Sequence, residues 1–520
     1  MKKYILPAFM LLVLSCGGSD NKEPVPVEEP GPVLVSTTPA DGTSGLTGTS
    51  LDIVFTFDQN ILCTADGLQK IAADGGAFVS QASPAGAALK VTVAGLSPGK
   101  SYVVSIPAGV VKGYKQNQKP SEAITFRFSM KEPDPVEPGS WETAATAVKN
   151  MGVGWNLGNT LESNSGDVDN MWIEAFSDRS VSVYETAWGQ PQATRALIHM
   201  FKEAGFGAIR VPVSWYPHMG TLSISQYTGT DGNQHGRWDK ASWLESTDYK
   251  VDPAWMARVK EVVGYVLDEG MYCILNVHHD TGTSTTAWLR ADQSVYDAVK
   301  ERYCALWRQI AMEFKDYGPQ LLFESFNEML DATNTWNYKS AEADRVINAY
   351  NALFVATVRA TGGNNANRNL VLNTYAASPD ERALKDFELP MDTVDGHLLA
   401  QVHSYAPYRF AFATDSPQTV FDEACDREVR AIMDGVGKNL VGRGIPCILG
   451  EFGTDTGDQE PRAEAELCKQ ATAYVSQAAK YNIACFYWMT LSNGDDRKVP
   501  KWTTPDLKDA LLKAWRDSKN

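Results

Sequence analysis

After Trp141 the sequence alternates between short apolar segments of strand length and amphipathic helical segments, and this alternation limits the possible folds most. Asp252-Pro253 forms a helix N-cap and first-turn pair, and Thr504-Pro505 begins the last helix. Eight apolar segments end near Asn156, Arg210, His278, Asn327, Asn373, His403, Glu451 and Trp488. They predict an α/β fold, a (β/α)8 barrel over residues 141–520, with its chemistry at the C-terminal strand ends.

Two of these segments end on a carboxylate. Leu321–Met329 begins as an apolar strand that leads to Asn327-Glu328, and Ile445–Gly450 is followed by Glu451. Such a pair is what an enzyme needs to cleave a sugar linkage with an acid/base and a nucleophile. A lone glutamate at a strand end is more often a salt-bridge or capping residue. The polar and aromatic residues at the other strand ends favour the catalytic interpretation, because a barrel built only for stability would not place them there.

The N-terminus has the pattern of an export signal. Lys2-Lys3 precedes the apolar run Ile5–Leu14, which is too short to span a bilayer. Ser15-Cys16 resembles the end of a bacterial lipobox, which implies lipidation of Cys16; an ordinary signal peptide is the alternative. Residues 17–32 predict a flexible tether. We expect an exported lipoprotein of the outer membrane, on the cell surface or the periplasmic face, held in the membrane by its lipid alone.

Residues 33–130 carry short segments in which apolar and polar residues alternate, separated by turn signals. This pattern predicts a β-sandwich of about 100 residues, and its opening resembles the bacterial Ig-like domains that precede secreted enzymes. The segment contains no Trp for stacking on sugars, so we favour a spacer over a carbohydrate-binding module. Residues 131–140 contain three prolines and predict a semi-rigid linker.

The net charge of −16 argues against binding to nucleic acid or to an anionic membrane surface. Of the eight cysteines, all but Cys16 are scattered, and the sequence has no Cys-x-x-Cys pair. A zinc or iron–sulfur site is therefore not expected, although one disulfide is compatible with the spacing. We expect no cofactor, no metal and a monomeric chain.

Residues 151–495 resemble glycoside hydrolase family 5, a family of retaining (β/α)8 glycosidases. The resemblance lies in segments that occur in the family's order and spacing: Met151–Thr160 (MGVGWNLGNT), Glu185–Gly189 (ETAWG), Ala208–Trp215 (AIRVPVSW), Asn276–Asp280 (NVHHD), Phe326–Met329 (FNEM), His403–Tyr405 (HSY), Leu449–Gly453 (LGEFG) and Phe486–Trp488 (FYW). At Glu324-Ser325 the sequence differs from many relatives, and we expect this difference to have no consequence. The most similar subgroup acts on cellulose, mixed-linkage glucan and xyloglucan.

The resemblance implies that Glu328 is the acid/base and Glu451 the nucleophile of a double displacement. It further implies that Arg210 holds the pKa of Glu451 down and that Tyr405 orients the same carboxylate. The remaining implied contacts with the reactive sugar come from His278, Asn327, His403 and Trp488. Asn156, His279 and Trp155 are weaker supporting candidates. Some of the tryptophans in long insertions should line the cleft, with the loop Met219–Tyr249 as the best place for contacts to a branched substrate.

Three alternatives to an endo-acting β-1,4-glucan hydrolase stay open in the sequence. A metal-dependent barrel hydrolase would use His278, His279, Asp280, Glu328 and His403, but adjacent histidines on a strand point to opposite faces. A non-catalytic glycan-binding surface lipoprotein would not need both glutamates. An endo-β-1,4-mannanase belongs to the same class of enzyme and differs only in substrate.

Overall fold

The computed structural model describes residues 30–46, 50–75, 77–94, 96, 99–114, 119–131, 141–336, 340–412, 417–455, 462–488, 497 and 500–519. The predicted signal peptide with Cys16 lies outside the described residues, as do most of the predicted tether and linker. Within these ranges no helix has the length and apolar character needed to cross a membrane.

The N-terminal region is a β-sandwich, as predicted. Its elements are β1 (Leu34–Thr38), β2 (Thr43–Leu46), β3 (Ser50–Phe57), β4 (Ile61–Leu62), α1 (Ala65–Leu68), β5 (Ala72–Ala73), β6 (Phe78–Ala85), β7 (Ala88–Ala94), β8 (Ser101–Ile106), β9 (Lys112–Gly113) and β10 (Ile124–Met130). One sheet has the order β1-β3-β7-β6 and the other β2-β10-β8-β5. The alternating apolar residues meet between the sheets, where the rings of Phe55 and Phe126 are 5.8 Å apart.

The C-terminal region is a closed barrel of eight parallel strands, which confirms the predicted fold. Its strands and one inserted hairpin are β11 (Val153–Asn156), β12 (Ala208–Val211), the hairpin β13 (Ile224–Thr228) and β14 (Gln234–Trp238), β15 (Tyr272–Asn276), β16 (Leu321–Glu324), β17 (Leu370–Asn373), β18 (Leu398–Ser404), β19 (Cys447–Phe452) and β20 (Ala484–Trp488). The barrel strands pair in chain order, and β20 closes the barrel against β11.

The helices surround this barrel, and two of them begin at the predicted Asp252-Pro253 and Thr504-Pro505 pairs. They are α2 (Ala144–Met151), α3 (Trp172–Phe176), α4 (Val181–Thr186), α5 (Arg195–Ala204), α6 (Lys240–Glu245), α7 (Pro253–Asp268), α8 (Gln293–Glu313), α9 (Ala341–Ala360), α10 (Glu381–Asp386), α11 (Tyr408–Ala411), α12 (Glu423–Asn439), α13 (Glu464–Ala479) and α14 (Pro505–Asp517). The Asp252 side chain caps α7 by accepting from the backbone N–H groups of Ala254 and Trp255.

The inside of the barrel has two halves of opposite character. The lower half is an apolar cluster that includes Ile274, Leu322, Leu399, Ile448 and Phe486, and α2 closes it from below. The upper half carries polar residues in register on neighbouring strands: Asn156 opposite Arg210, Asn276 opposite Glu324, and Asn373 opposite Gln401. The strand ends therefore present polar groups at one level, above the apolar cluster, which we call the apolar plug.

The cysteine question is settled for the described part of the chain. All seven of its cysteines are free thiols, so no disulfide forms among them. Cys273, Cys447 and Cys485 are buried within barrel strands, where the sequence predicts small apolar side chains.

Candidate active site

Arg210, at the end of β12, is fully buried and organises the upper half of the barrel. Its Nε and Nη2 each donate a 2.7 Å hydrogen bond to the Glu324 carboxylate, and its Nη1 donates to Glu451 Oε1 at 2.7 Å. Asn156 and Asn327 accept the remaining bonds through their Oδ1 atoms, at 2.9 and 2.8 Å. One guanidinium thus connects side chains from three other strand ends, those of β11, β16 and β19, and the bidentate Arg–carboxylate geometry makes this arrangement rigid.

The two predicted catalytic carboxyls face each other across His403. Its Nδ1 lies 2.8 Å from Glu328 Oε1 and 3.5 Å from Glu451 Oε2. One donor atom each of Glu328, His403 and Glu451 falls within 4.8 Å of the others. Tyr405 donates its hydroxyl to Glu451 Oε2 at 2.9 Å. This short separation is typical of a retaining glycosidase. In an inverting glycosidase the two carboxyls lie farther apart, because a water must fit between one of them and the sugar.

A β-bulge in β19 turns Glu451 toward this site. Val402 pairs with Leu449, but the next residue, His403, pairs with Glu451, so Gly450 is an extra residue in β19. With regular pairing Gly450 would lie opposite His403, and Glu451, one residue later, would face the outer helices because side chains alternate along a strand. With the extra residue, Glu451 shares the inward face with His403.

The two carboxyls have different surroundings, which separates their protonation behaviour. Burial raises the pKa of Glu328 to about 7, and Arg210 offsets only part of that rise. Burial also raises the pKa of Glu451, and the charge and hydrogen bond of Arg210 offset only part of that rise. Of the two carboxyls Glu328 and Glu451, only Glu451 is hydrogen-bonded directly to the Arg210 guanidinium. When one proton is shared by the pair, Glu328 therefore holds it and Glu451 is the ionised partner.

Aromatic rings form one side of the site. His278 stacks on Trp488 with ring centroids 5.7 Å apart and planes 10° apart, His279 packs edge-on against His278 at 4.6 Å, and Trp188 packs on His279 at 5.2 Å. We call these four residues the aromatic wall. Burial keeps the pKa of His278 well below its usual value and lowers that of His279 to about 4. The wall is therefore uncharged at neutral pH and presents ring faces of the kind that stack on pyranoses.

Comparison with known proteins identifies the family to which this barrel belongs. The family model for cellulase (glycosyl hydrolase family 5) matches residues 170–494. The chain belongs to glycoside hydrolase family 5. Among curated proteins, Endoglucanase A of Ruminococcus albus is 32% identical over 383 residues, covering 71% of this chain and 92% of that one, and Endoglucanase A of Clostridium longisporum is 33% identical over 395 residues, covering 74% and 68%.

Solved structures of family 5 enzymes superimpose on the same region. A glycoside hydrolase family 5 enzyme from Prevotella bryantii B14 matches with a TM-score of 0.61 and 39% identity, over 72% of this chain and 99% of that chain. A xyloglucan-specific endo-β-1,4-glucanase from a metagenomic library matches with a TM-score of 0.59 and 31% identity, over 71% and 98%. In front of the family 5 domain, a bacterial Ig-like domain model matches residues 28–130, in agreement with the sandwich.

The weaker predicted residues of this family 5 domain have different positions. Asn156 donates through Nδ2 to the Gly450 carbonyl at 3.0 Å while its Oδ1 holds Arg210, so it supports the site from below. His279 belongs to the aromatic wall. Trp155 does not reach the site: its ring is fully buried on the outer face of β11, against Phe201, Phe206, Tyr487 and Trp502. The prediction for Trp155 is wrong because alternation along the strand points it toward the helices.

Most tryptophans in the long insertions stabilise the family 5 domain instead of lining an open cleft. Buried positions are held by Trp215, Trp238, Trp243 and Trp288, whereas Trp172, Trp188 and Trp336 retain exposed surface. The insertion Met219–Tyr249 turns both of its tryptophans inward, where their rings pack at 5.2 Å. The prediction that the tryptophans of this loop contact a branched substrate is therefore wrong.

Glu324 is the main site residue that sequence reasoning missed. It is fully buried, accepts both hydrogen bonds of the Arg210 fork, and accepts a third from Asn276 Nδ2 at 3.0 Å. Burial alone would raise the pKa of Glu324, but the charge and hydrogen bonds of Arg210 outweigh it and lower that pKa. The available signal was its position two residues after Leu322, which places it on the inward face of β16, in a barrel whose strand ends also carry the cation Arg210.

The trio Glu328, His403 and Glu451 also has the ligand types of a metal site. Both carboxylate oxygens of Glu451 already accept hydrogen bonds, from Arg210 and Tyr405, and Arg210 brings a positive charge within 2.7 Å of one of them. A divalent cation in that position would be repelled by the guanidinium and would break both bonds. The donor set therefore fits proton transfer and nucleophilic attack better than metal binding.

Proposed function

We propose that this enzyme hydrolyses internal β-1,4 linkages of glucans with retention of anomeric configuration, with Glu328 as acid/base and Glu451 as nucleophile. The observation that carries the proposal is the pairing of a carboxyl that holds a proton near pH 7 with an Arg-bound carboxyl, with donor atoms of both within 4.8 Å of each other. Relatives named as endoglucanases over most of the barrel support the substrate class.

In the first step Glu451 attacks the anomeric carbon of the sugar bound at the aromatic wall, and Glu328 donates its proton to the leaving glycosidic oxygen. A covalent glycosyl-enzyme forms as the C–O bond to the leaving chain breaks. In the second step Glu328 removes a proton from water, whose oxygen attacks the same carbon and releases Glu451. One residue thus serves as acid and then as base, which a pKa near 7 allows.

Three neighbours prepare the pair for these steps. Arg210 and Tyr405 hold the two oxygens of Glu451 and fix its direction of attack. Asn327 has its Oδ1 tied to Arg210, which leaves its Nδ2, with no hydrogen-bond partner among the described residues, to donate to a sugar hydroxyl. That bond, to the 2-hydroxyl of the sugar under attack, strengthens in the transition state.

The assignment of the two glutamates is tested with an aryl β-cellobioside and sodium azide. In Glu328→Ala the activated leaving group needs no acid, so azide attacks the glycosyl-enzyme and yields a β-glycosyl azide. In Glu451→Ala azide takes the place of the nucleophile and yields an α-glycosyl azide. Swapped anomers, or wild-type hydrolysis in either variant, would contradict the assignment; Glu423→Ala, at an exposed glutamate that begins the outer helix α12, is the matched control.

For the substrate we propose that the cleft accepts xyloglucan together with unbranched β-1,4-glucans. The Prevotella bryantii enzyme, 39% identical to this chain, has been solved as a mutant in complex with a xyloglucan tetradecasaccharide, and other matches are described as broad-specificity endoglucanases. Purified protein should release oligosaccharides from xyloglucan, mixed-linkage glucan and carboxymethyl cellulose. Faster release from mannan than from every glucan would identify the mannanase alternative, and binding without release would identify the glycan-binding one.

We further propose that Cys16 is lipidated, that the protein is displayed as a monomer on the outer membrane, and that the Ig-like domain is a spacer. Support comes from the lipobox-like sequence and from a sandwich without Trp. A labelled fatty acid should enter the wild-type protein but not Cys16→Ala, and externally added protease should digest the enzyme on intact cells. Protection from protease would place the enzyme on the periplasmic face. Light scattering should give the monomer mass.

A further inference from the structure

Gln401 is a buried polar residue that the mechanism above does not use. It lies on β18, two residues before His403, and both side chains face the barrel interior. Gln401 is fully buried, yet neither its Oε1 nor its Nε2 has a hydrogen-bond partner among the described residues, and the same is true of His403 Nε2. Leaving such buried groups unpaired is unfavourable, so we expect the Gln401 amide and His403 Nε2 to hydrogen-bond to each other.

Gly450 shows that the amide and the imidazole occupy one common space. A Cβ added to Gly450 would stand 2.1 Å from Gln401 Oε1 and 3.2 Å from His403 Nε2. The bulge residue must therefore be glycine for Gln401 and His403 to share this position. Since nothing else holds the amide of Gln401, a rotation about its side-chain bonds can direct its nitrogen at the ring.

The chemistry of the acid/base depends on which nitrogen of His403 carries the proton. Burial lowers the pKa of His403 to about 4, so the ring is neutral at working pH and has one N–H. If Nδ1 is protonated, it donates to Glu328 Oε1, and the acid proton stays on Oε2, free for the glycosidic oxygen. If Nε2 is protonated, Nδ1 becomes an acceptor and draws the Glu328 proton onto Oε1, away from the substrate.

We propose that Gln401 is a positioning residue for catalysis: its amide donates to His403 Nε2 and thereby holds the ring in the Nδ1–H tautomer. The proposal rests on the proposed role of Glu328, but its structural content, the tautomer, can be measured separately. Gln401 contacts no substrate and acts only through His403. The titratable and charged groups that face the imidazole from the surrounding strands are Glu328, Glu451, Arg210, Glu324, Tyr405 and His278.

The direct test is ¹⁵N NMR of the histidine-labelled full-length protein, with the His403 signals assigned by comparison with His403→Gln. Protonated and unprotonated ring nitrogens resonate in separate regions. We expect wild-type Nδ1 to be protonated and Nε2 unprotonated at pH 7. In Gln401→Met, which keeps the volume and removes the donor, we expect the two tautomers to mix. A wild-type ring protonated on Nε2 overturns the proposal without any variant.

Kinetics then separate positioning from packing. Gln401→Met should lower kcat about tenfold, the size of one lost hydrogen bond, with KM within about twofold. The alkaline limb of its kcat/KM profile should move to higher pH, because an Nδ1 acceptor favours protonated Glu328. Gln477→Met, a buried glutamine bonded to Asp434 in the outer helices, is the control and should leave the profile unchanged.

Each further outcome has one meaning. An unchanged profile together with an unchanged tautomer in Gln401→Met contradicts the proposal, and Gln401→Leu gives the same comparison if the methionine variant does not fold. An Nδ1–H tautomer in an enzyme that Glu328→Ala does not impair would leave Gln401 in place and remove the proposed role of Glu328 instead.

Discussion

The lower and upper halves of the barrel interior are built from the same eight strands and solve opposite problems. The lower half, with Ile274, Leu322 and Ile448, is apolar, and the packing of its side chains is enough to hold it together. The upper half buries Arg210 between Glu324 and Glu451. Apolar burial of that volume stabilises a fold, whereas a buried ion network is often no better than an apolar replacement. The contrast indicates that the lower half serves stability and that the upper half is retained for chemistry.

The largest effect expected from this contrast is the loss of activity on removing either catalytic carboxyl. Glu328→Gln and Glu451→Gln should each lower kcat on a polymeric β-glucan by at least about a thousandfold, because proton transfer or nucleophilic attack is lost. Their free energies of unfolding at pH 6 should stay within about 1 kcal/mol of wild type. A reducing-sugar assay measures the activity of the variants, and urea unfolding measures their stability. A large loss of stability would mean that the carboxyls also stabilise the fold.

The next effect tests the ion network of the upper half. Arg210→Met should reduce kcat about a hundredfold and also destabilise the fold by about 3–5 kcal/mol, because Glu324 is left buried without its counter-ion. Adding Glu324→Leu should restore much of the stability and none of the activity. Unfolding midpoints and kcat of the single and double variants decide this, and recovery of both quantities in the double variant would contradict a functional reason for the charges.

A third prediction uses pH, because only the upper half titrates. With the pKa of Glu328 at about 7, kcat/KM should fall about tenfold per pH unit above that value as the acid loses its proton. The pKa is raised relative to the unfolded chain, so this residue's contribution to stability is complete below pH 4.5 and is lost as pH rises through 7. Wild type should therefore lose stability relative to Glu328→Gln between pH 6 and 8, by about 1.3 kcal/mol.

The smallest effect on activity is expected in the lower half. Leu322→Ala opens a cavity in the apolar plug and should cost about 2–5 kcal/mol of stability. Below its melting transition the variant should keep kcat and KM within about twofold of wild type. A fall in kcat as large as that of Arg210→Met would show that the plug, too, positions the reacting groups.

Much of this arrangement could be predicted because strand–helix alternation and turn chemistry are local properties of the sequence. The eight strands and the Asp252 cap follow from them, whereas the grouping of Glu328, Glu451, Arg210 and Tyr405 is implied by the resemblance to family 5. Trp155, a weaker supporting candidate, lies instead on the outer face of β11, although its neighbour Asn156 faces the site. Two-residue alternation assigns only one of them to the interior.

Two features depend on contacts that the sequence does not display. The bulge at Gly450 is what turns Glu451 inward, and strict alternation from Ile448 would have turned it outward. Glu324 is needed because Arg210 binds a second carboxylate besides Glu451. Both depend on how neighbouring strands align, which is a property of pairs of strands far apart in the chain.

The central claim, that Glu451 forms a covalent bond to the sugar while Glu328 supplies the proton, is tested most directly by trapping the intermediate. An activated 2-deoxy-2-fluoro-β-cellobioside reacts in the first step and stalls before the second. Mass spectrometry of the inactivated protein should show one added fluorosugar, on the peptide that carries Glu451, and none in Glu451→Gln. Turnover without an adduct, or an adduct on Glu328, would contradict the account.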